Sequence, residues 1–92
     1  DKAQGAGELT ELATRIEADP NDHAARYELA LALAGMEQRR EALEHLLEII
    51  RRNRTWNDDA ARMQVLQFFD AWGPKEPLVA EGRRRLSSLL FA

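Results

Sequence analysis

Residue types that could do chemistry are few in this chain, and His45 has the richest surroundings. Three glutamates lie within four positions of it on a predicted helix, namely Glu41, Glu44 and Glu48. Such a spacing can hold a metal ion. However, the chain has no cysteine, its other histidine is far away in sequence, and a solvated helix face explains the glutamates better. We therefore predict no metal site.

Catalytic groups are no better supported. The neighbouring carboxylates Asp58 and Asp59 are explained as helix-capping residues rather than as a general acid and base. Ser87 and Ser88 have no histidine near them in sequence and no nucleophile-elbow glycines. A glycine-rich phosphate loop is also missing from the sequence. The sequence predicts neither an enzyme nor a bound cofactor.

A repeated hexapeptide indicates how the chain is organised. Residues 21–26 (Asn-Asp-His-Ala-Ala-Arg) return 36 positions later as residues 57–62 (Asn-Asp-Asp-Ala-Ala-Arg), with five of the six identical. A period of this length is typical of helical repeat proteins, whose units cannot bury their apolar faces alone and must stack. Such scaffolds mostly bind other proteins.

Apolar residues at helical spacing, with stop signals between them, predict five antiparallel helices and an all-α fold. The helices are predicted from Glu8 to Ala18, from a cap at Asn21 or Asp22 to Ala34, from Gln38 to Asn53, from a cap at Asn57 or Asp58 to Trp72, and from Pro77 onward. They form half a repeat, one full repeat and one degenerate repeat. Gly35 and Gly73 are the predicted stops of the second and fourth helices. Gly82 lies inside the fifth helix, where glycine costs about 1 kcal/mol against alanine, so we predict a close helix crossing there.

The domain organisation follows from this pattern. Residues 1–7 are predicted to be disordered or a linker, and residues 8–92 to be the helical repeat domain. Because the chain begins at Asp1 rather than at a methionine, we interpret it as a fragment of a larger protein. The first helix belongs to an incomplete repeat, so the sequence leaves open whether the apolar surface of Leu9, Leu12 and Ile16 is covered.

Composition and charge exclude several functions. With a net charge of −3, the chain would be repelled by nucleic acid and by anionic membranes. No apolar stretch approaches the ~20 residues needed to cross a bilayer. The charge is uneven, since residues 1–34 carry seven acidic and three basic residues, whereas residues 35–92 carry nine and ten. We predict neither a nucleic-acid nor a membrane partner.

Residues 19–53 resemble a tetratricopeptide repeat. In that repeat a small residue of the first helix and an alanine of the second lie twelve positions apart and let the helices touch, and Ala30 and Ala42 match them. The chain departs from the pattern at the turn, where Gly35 comes two places early, and at the end, where Arg54 stands in place of proline. The resemblance implies a protein-binding helical repeat.

The second half is similar to the C-terminal end of bacterial thioredoxin-like proteins of the chaperedoxin (YbbN) type. Residues 56–62 and 83–91 carry the similarity, together with Phe69 and Gly73-Pro74 between them. Those proteins join a thioredoxin-fold domain, which this chain lacks, to tetratricopeptide-like repeats. The resemblance implies a cytoplasmic bacterial co-chaperone that holds unfolded clients and passes them to the GroEL chaperonin, with its C-terminal helix as the docking element. By position, the docking residues would be Arg83, Arg84, Arg85, Leu86, Leu89, Leu90 and Phe91.

A second candidate site is the concave groove that tetratricopeptide geometry would create. Its lining residues would be Tyr27, Leu31, Met63 and Gln67, and an apolar, flexible groove could accept varied clients. The alternative is that so few repeats form a compact bundle, in which these residues are core.

The apolar C-terminus also has two interpretations. It could lie in a partner's hydrophobic groove, or it could cap the repeats and be buried at home. The alternative function has no chaperone partner. The same apolar surface would then mediate homodimerisation, or the domain would be an intramolecular scaffold of its parent protein.

Overall fold

The chain folds into five α-helices and, over residues 2–91, contains no strand. The structure, a computed structural model, describes the backbone of residues 2–91 and the side chains of residues 7–91. The helices are α1 (Lys2–Ala18), α2 (His23–Gly35), α3 (Arg39–Arg52), α4 (Trp56–Trp72) and α5 (Pro77–Phe91). The all-α class and the number of helices are therefore confirmed.

Most helix boundaries follow the signals in the sequence. α1 stops before Asp19-Pro20, and a carboxylate oxygen of Asp22 accepts a hydrogen bond from the backbone N–H of Ala25 at 3.1 Å, which caps α2. α4 is followed by Gly73 at a φ of 87°, and α5 begins at Pro77. α1 begins six residues before the predicted start at Glu8. The division into a linker at 1–7 and a domain over 8–92 stays a prediction, and Asp1 and Ala92 lie outside the described residues.

The start of α4 differs from the prediction. The helix is assigned from Trp56, but residues 57–59 do not have helical backbone angles, so the regular right-handed helix starts only after Asp59 and neither Asn57 nor Asp58 lies directly before it as a cap. Asn57, Asp58 and Asp59 instead have φ values of 49°, 56° and 64°, in the left-handed region that Asn and Asp tolerate best among non-glycine residues. The ring of Trp56, directly before this kink, lies 5.5 Å from that of Tyr27.

The core is centred on α3, which packs against α2, α4 and α5. Ala30 of α2 and Ala42 of α3 are both fully buried, as the predicted close contact of these helices requires. Gly82 of α5 occupies the matching place in the second half, where an added Cβ would lie 2.7 Å from Cε1 of Phe69. The close packing predicted at Gly82 is therefore present, with an aromatic ring as the neighbour.

Ion pairs fasten α5 to α3. Arg85 Nη1 and Nη2 donate to the two carboxylate oxygens of Glu44 at 2.6 and 2.7 Å, and Arg40 Nη1 donates to Glu81 at 2.8 Å. These hydrogen bonds are the largest cause of the lowered pKa values of Glu44 and Glu81. Across the described residues, no helix is both long enough and apolar enough to cross a membrane.

Candidate functional site

The four predicted groove residues lie on α2 and α4, and three of them are exposed. Leu31 and Met63 keep 40% and 49% of their surface in solvent, and Gln67 is exposed as well. Tyr27 is half-buried, and its hydroxyl donates to Gln64 Oε1 of α4 at 3.3 Å. Tyr27 thus joins the two helices, while the other three remain accessible rather than forming core.

Leu31 also borders a cavity between α1 and α2 that the groove prediction did not include. This cavity has a volume of about 520 Å³. Its apolar lining consists of Leu9, Leu12, Leu31, Ala32 and Met36, and its charged lining of Glu8, Glu11, Arg15 and Glu28. The sequence indicated this cavity only through the apolar residues Leu9 and Leu12 of an incomplete repeat. That Met36 lines the same cavity is visible only in the fold.

The apolar residues of the predicted C-terminal docking element differ in exposure. Leu86 is buried, and Leu89 and Leu90 are half-buried against the core cluster. Phe91, in contrast, keeps 83% of its surface exposed at the end of α5. Leu86 is therefore buried within the domain, as the capping interpretation expects, whereas Phe91 faces solvent, and docking of a partner there stays a prediction.

The three arginines before Leu86 also have different surroundings. Arg85 is occupied by Glu44 and lies 3.8 Å from Glu81, so it fixes α5 in place. The guanidinium of Arg83 lies 5.5 Å from the ring centroid of Phe69, and Arg84 is exposed. Arg83 and Arg84 are both exposed to solvent, whereas Arg85 is half-buried.

His45 lies in a structural cluster. Its Nδ1 is 3.5 Å from Nη1 of Arg26, and burial, followed by the charge of Arg26, lowers the pKa of His45. Glu48, the predicted neighbour, accepts hydrogen bonds from Arg51 and Arg52, and these arginines lower its pKa to about 2. Within the part of the chain whose side chains are described, no three histidines or carboxylates gather as metal ligands would.

The comparisons with known proteins agree with this architecture. The model of the family described as tetratricopeptide repeat matches residues 2–91. No curated protein matches the chain.

Proposed function

Because the chain belongs to the tetratricopeptide repeat family, whose domains generally mediate protein–protein interaction and are typically not catalytic, we propose that it is the interaction module of a thioredoxin-like co-chaperone. In this role it docks on a chaperonin of the GroEL type through the end of α5. Unfolded clients bind the accessible side chains of α2 and α4, Leu31 and Met63 among them. The parent protein is cytoplasmic and bacterial, as the resemblance of the C-terminal half implies.

The observation that carries the docking proposal is the exposure of Phe91. Burying a phenylalanine side chain fully contributes roughly 1.5–3 kcal/mol, so this ring retains apolar surface that a partner could cover. Phe91 extends a partly apolar surface formed by Leu89 and Leu90, with Arg84 accessible one to two turns earlier. An aromatic anchor beside a basic residue is a frequent composition of binding hot spots.

The test is binding of the isolated chain to GroEL by biolayer interferometry, with Phe91→Ser compared against Leu66→Ser. Leu66 is a suitable control because it is a large apolar residue on α4 that is 41% exposed. We expect Phe91→Ser to weaken binding at least about tenfold and Leu66→Ser to leave it unchanged, with both variants melting near the wild type. Truncation after Arg85 is a poorer test, because it also removes the buried Leu86.

Two results would contradict the docking proposal. Unchanged GroEL affinity in Phe91→Ser would remove the end of α5 from the interface. Concentration-dependent dimerisation seen by light scattering, abolished by Phe91→Ser and accompanied by no GroEL binding, would assign the same surface to self-association.

A further inference from the structure

The cavity between α1 and α2 has a mostly apolar floor and a charged rim. Leu9 and Leu12 contribute from α1, whereas Leu31 contributes from α2 and Met36 from the turn that follows it. Leu31 and Met36 remain 40% and 53% exposed. Its volume of about 520 Å³ lies within the usual range for binding clefts.

Within residues 2–91, α1 has one main helical neighbour. α1 packs chiefly against α2, whereas α2 is held between α1 and α3. In a helical repeat each helix is normally flanked by others, and an unaccompanied outer surface is usually polar. Here the outer surface of the α1–α2 pair is instead apolar along its centre, which favours an occupant with an apolar stripe of its own.

The rim of this cavity is acidic. Glu8 and Glu11 are exposed and make no ion pair with any side chain of residues 7–91. Glu28 is 63% exposed and reaches only Arg15, at 4.0 Å. The guanidinium of Arg15 already donates to both carboxylate oxygens of Asp22, at 3.2 and 3.4 Å. Three carboxylates therefore lie around the apolar floor, with little compensation from the cations of residues 7–91.

We propose that the α1–α2 cavity binds an amphipathic helix of another protein whose apolar stripe is flanked by lysine or arginine. Apolar residues spaced i, i+3, i+4 and i+7 on that helix would lie against Leu9, Leu31 and Met36. Its cations would pair with Glu8, Glu11 and Glu28 across the rim. Because these pairs are exposed, they provide selectivity and a faster association rate more than raw affinity. The flexible Met36 can adjust to different apolar anchors.

This proposal is independent of the chaperonin docking, since it concerns α1 and α2 rather than the end of α5. It does compete with one occupant from the chain itself. The α5 helix of a second copy also presents exposed Arg83, Arg84 and Phe91. In such a dimer the end of α5 of one copy would contact the α1–α2 cavity of the other copy, so dimerisation would depend on Phe91.

The experiment measures fluorescence anisotropy of two labelled model helices, below the concentrations at which they self-associate. One is built from leucine and lysine with the spacing given above, and the other has every lysine replaced by glutamate. We expect the wild type to bind the lysine helix at least about tenfold more tightly than the glutamate helix. Raising the salt from about 50 to about 500 mM should reduce that difference, because exposed charges are screened.

Charge reversal at the rim is the decisive variant. The double variant Glu11→Lys, Glu28→Lys should reverse the preference and bind the glutamate helix more tightly. The double variant Glu41→Lys, Asp70→Lys is the matched control, since it makes the same change in net charge at exposed positions on α3 and α4 outside the cavity. It should keep the wild-type preference. Circular dichroism confirms that each variant folds.

Other results overturn the proposal. Equal binding of the two helices by the wild type, or a preference that survives charge reversal, would show that the acidic rim selects nothing. A dimer that dissociates in Phe91→Ser and excludes the lysine helix would assign the cavity to a second copy.

Discussion

Arg26 is the one buried charged side chain among residues 7–91, with 9% of its surface exposed. Its Nη2 donates to the carbonyl oxygen of Pro20 at 3.1 Å, and its Nη1 faces His45. Its counterpart in the repeated hexapeptide, Arg62, is only half-buried and pairs with Asp59. The same residue in two repeats thus has two roles, because α3 covers Arg26 with the His45 ring.

The cluster predicts a pH dependence of stability. Burial first, and the charge of Arg26 second, lower the pKa of His45, although Glu41, Glu44 and Glu48 oppose the shift. The unfolded chain, with a histidine pKa of about 6.5, therefore takes up the proton more readily than the folded chain. The contribution of neutral His45 to the free energy of unfolding is complete above about pH 6.5, and it is lost as the pH falls through the lowered pKa of the folded state.

Urea unfolding of His45→Gln at about pH 7.5 and about pH 5.5 measures this contribution. We expect the wild type to lose more unfolding free energy between these two values than the variant does. An equal loss in both proteins would place the titrating group elsewhere.

Individual residues also show how far sequence reasoning reaches. Gly82 inside a predicted helix indicated a close contact, and the structure has one, since a Cβ there would lie 3.1 Å from Cδ2 of Leu43 as well as near Phe69. The sequence could not show which of the predicted docking residues of α5 are engaged within the domain and which are exposed. That Arg85 is occupied by Glu44 while Phe91 is exposed depends on how α5 lies on α3, which no local pattern encodes.

In the turn between α2 and α3, Gly35, which comes two places early for the tetratricopeptide pattern, is not the left-handed residue that ends the helix. Gly35 is still helical, and the left-handed residue is Glu37, at a φ of 64°. The backbone N–H of Gln38 donates to Leu33 O at 2.9 Å, and that of Glu37 donates to Ala34 O at 3.1 Å. These two bonds define a Schellman motif, in which glycine is the preferred left-handed residue.

Replacing Glu37 with glycine and replacing Gly35 with alanine should each stabilise the protein. Glu37→Gly relieves a left-handed conformation that costs a non-glycine residue roughly 1–2 kcal/mol, against the loss of an exposed pair with Arg39 at 3.4 Å. Gly35→Ala should add about 0.5–1 kcal/mol, because the position is helical and no atom lies within 4 Å of the new Cβ.

Thermal unfolding of the two single variants and of the double variant tests this expectation. Gly73→Ala is the matched control and should destabilise the protein, since its φ of 87° suits only glycine. A lower melting temperature in Glu37→Gly would show that the carboxylate contributes more than the strained backbone costs.

At the scale of helices, the predicted boundaries hold where local chemistry decides them. Asp22 caps α2 through its own carboxylate, and the proline at 77 begins α5. The corresponding cap at Asn57 or Asp58 fails, although the hexapeptide is nearly identical, because residues 57–59 have left-handed backbone angles and the regular helix starts only after them. Nearly the same six residues therefore have different backbone conformations in the two repeats.

The whole molecule is a short stack of helices with its best-protected element in the middle. α3 carries Leu43, Leu46 and Ile49, each at most 1% exposed, and packs against three other helices. α1 lies at one end, packs chiefly against α2 and contributes a single buried apolar side chain within residues 7–18, Leu12. Stability in such a stack depends on nearest-neighbour contacts, so its ends should open more readily than its centre.

Native-state hydrogen exchange followed by mass spectrometry measures this gradient directly. We expect amides of α3 to exchange only through global unfolding, whereas those of α1 exchange through a local opening that costs several kcal/mol less. Equal protection of the amides in all five helices would contradict a stack whose ends open locally, and it would indicate that the domain unfolds as a single cooperative bundle. Because α1 forms one wall of the acidic cavity, a bound basic helix should slow exchange in α1 much more than in α3. The end that opens most readily would then also be the end that a partner completes.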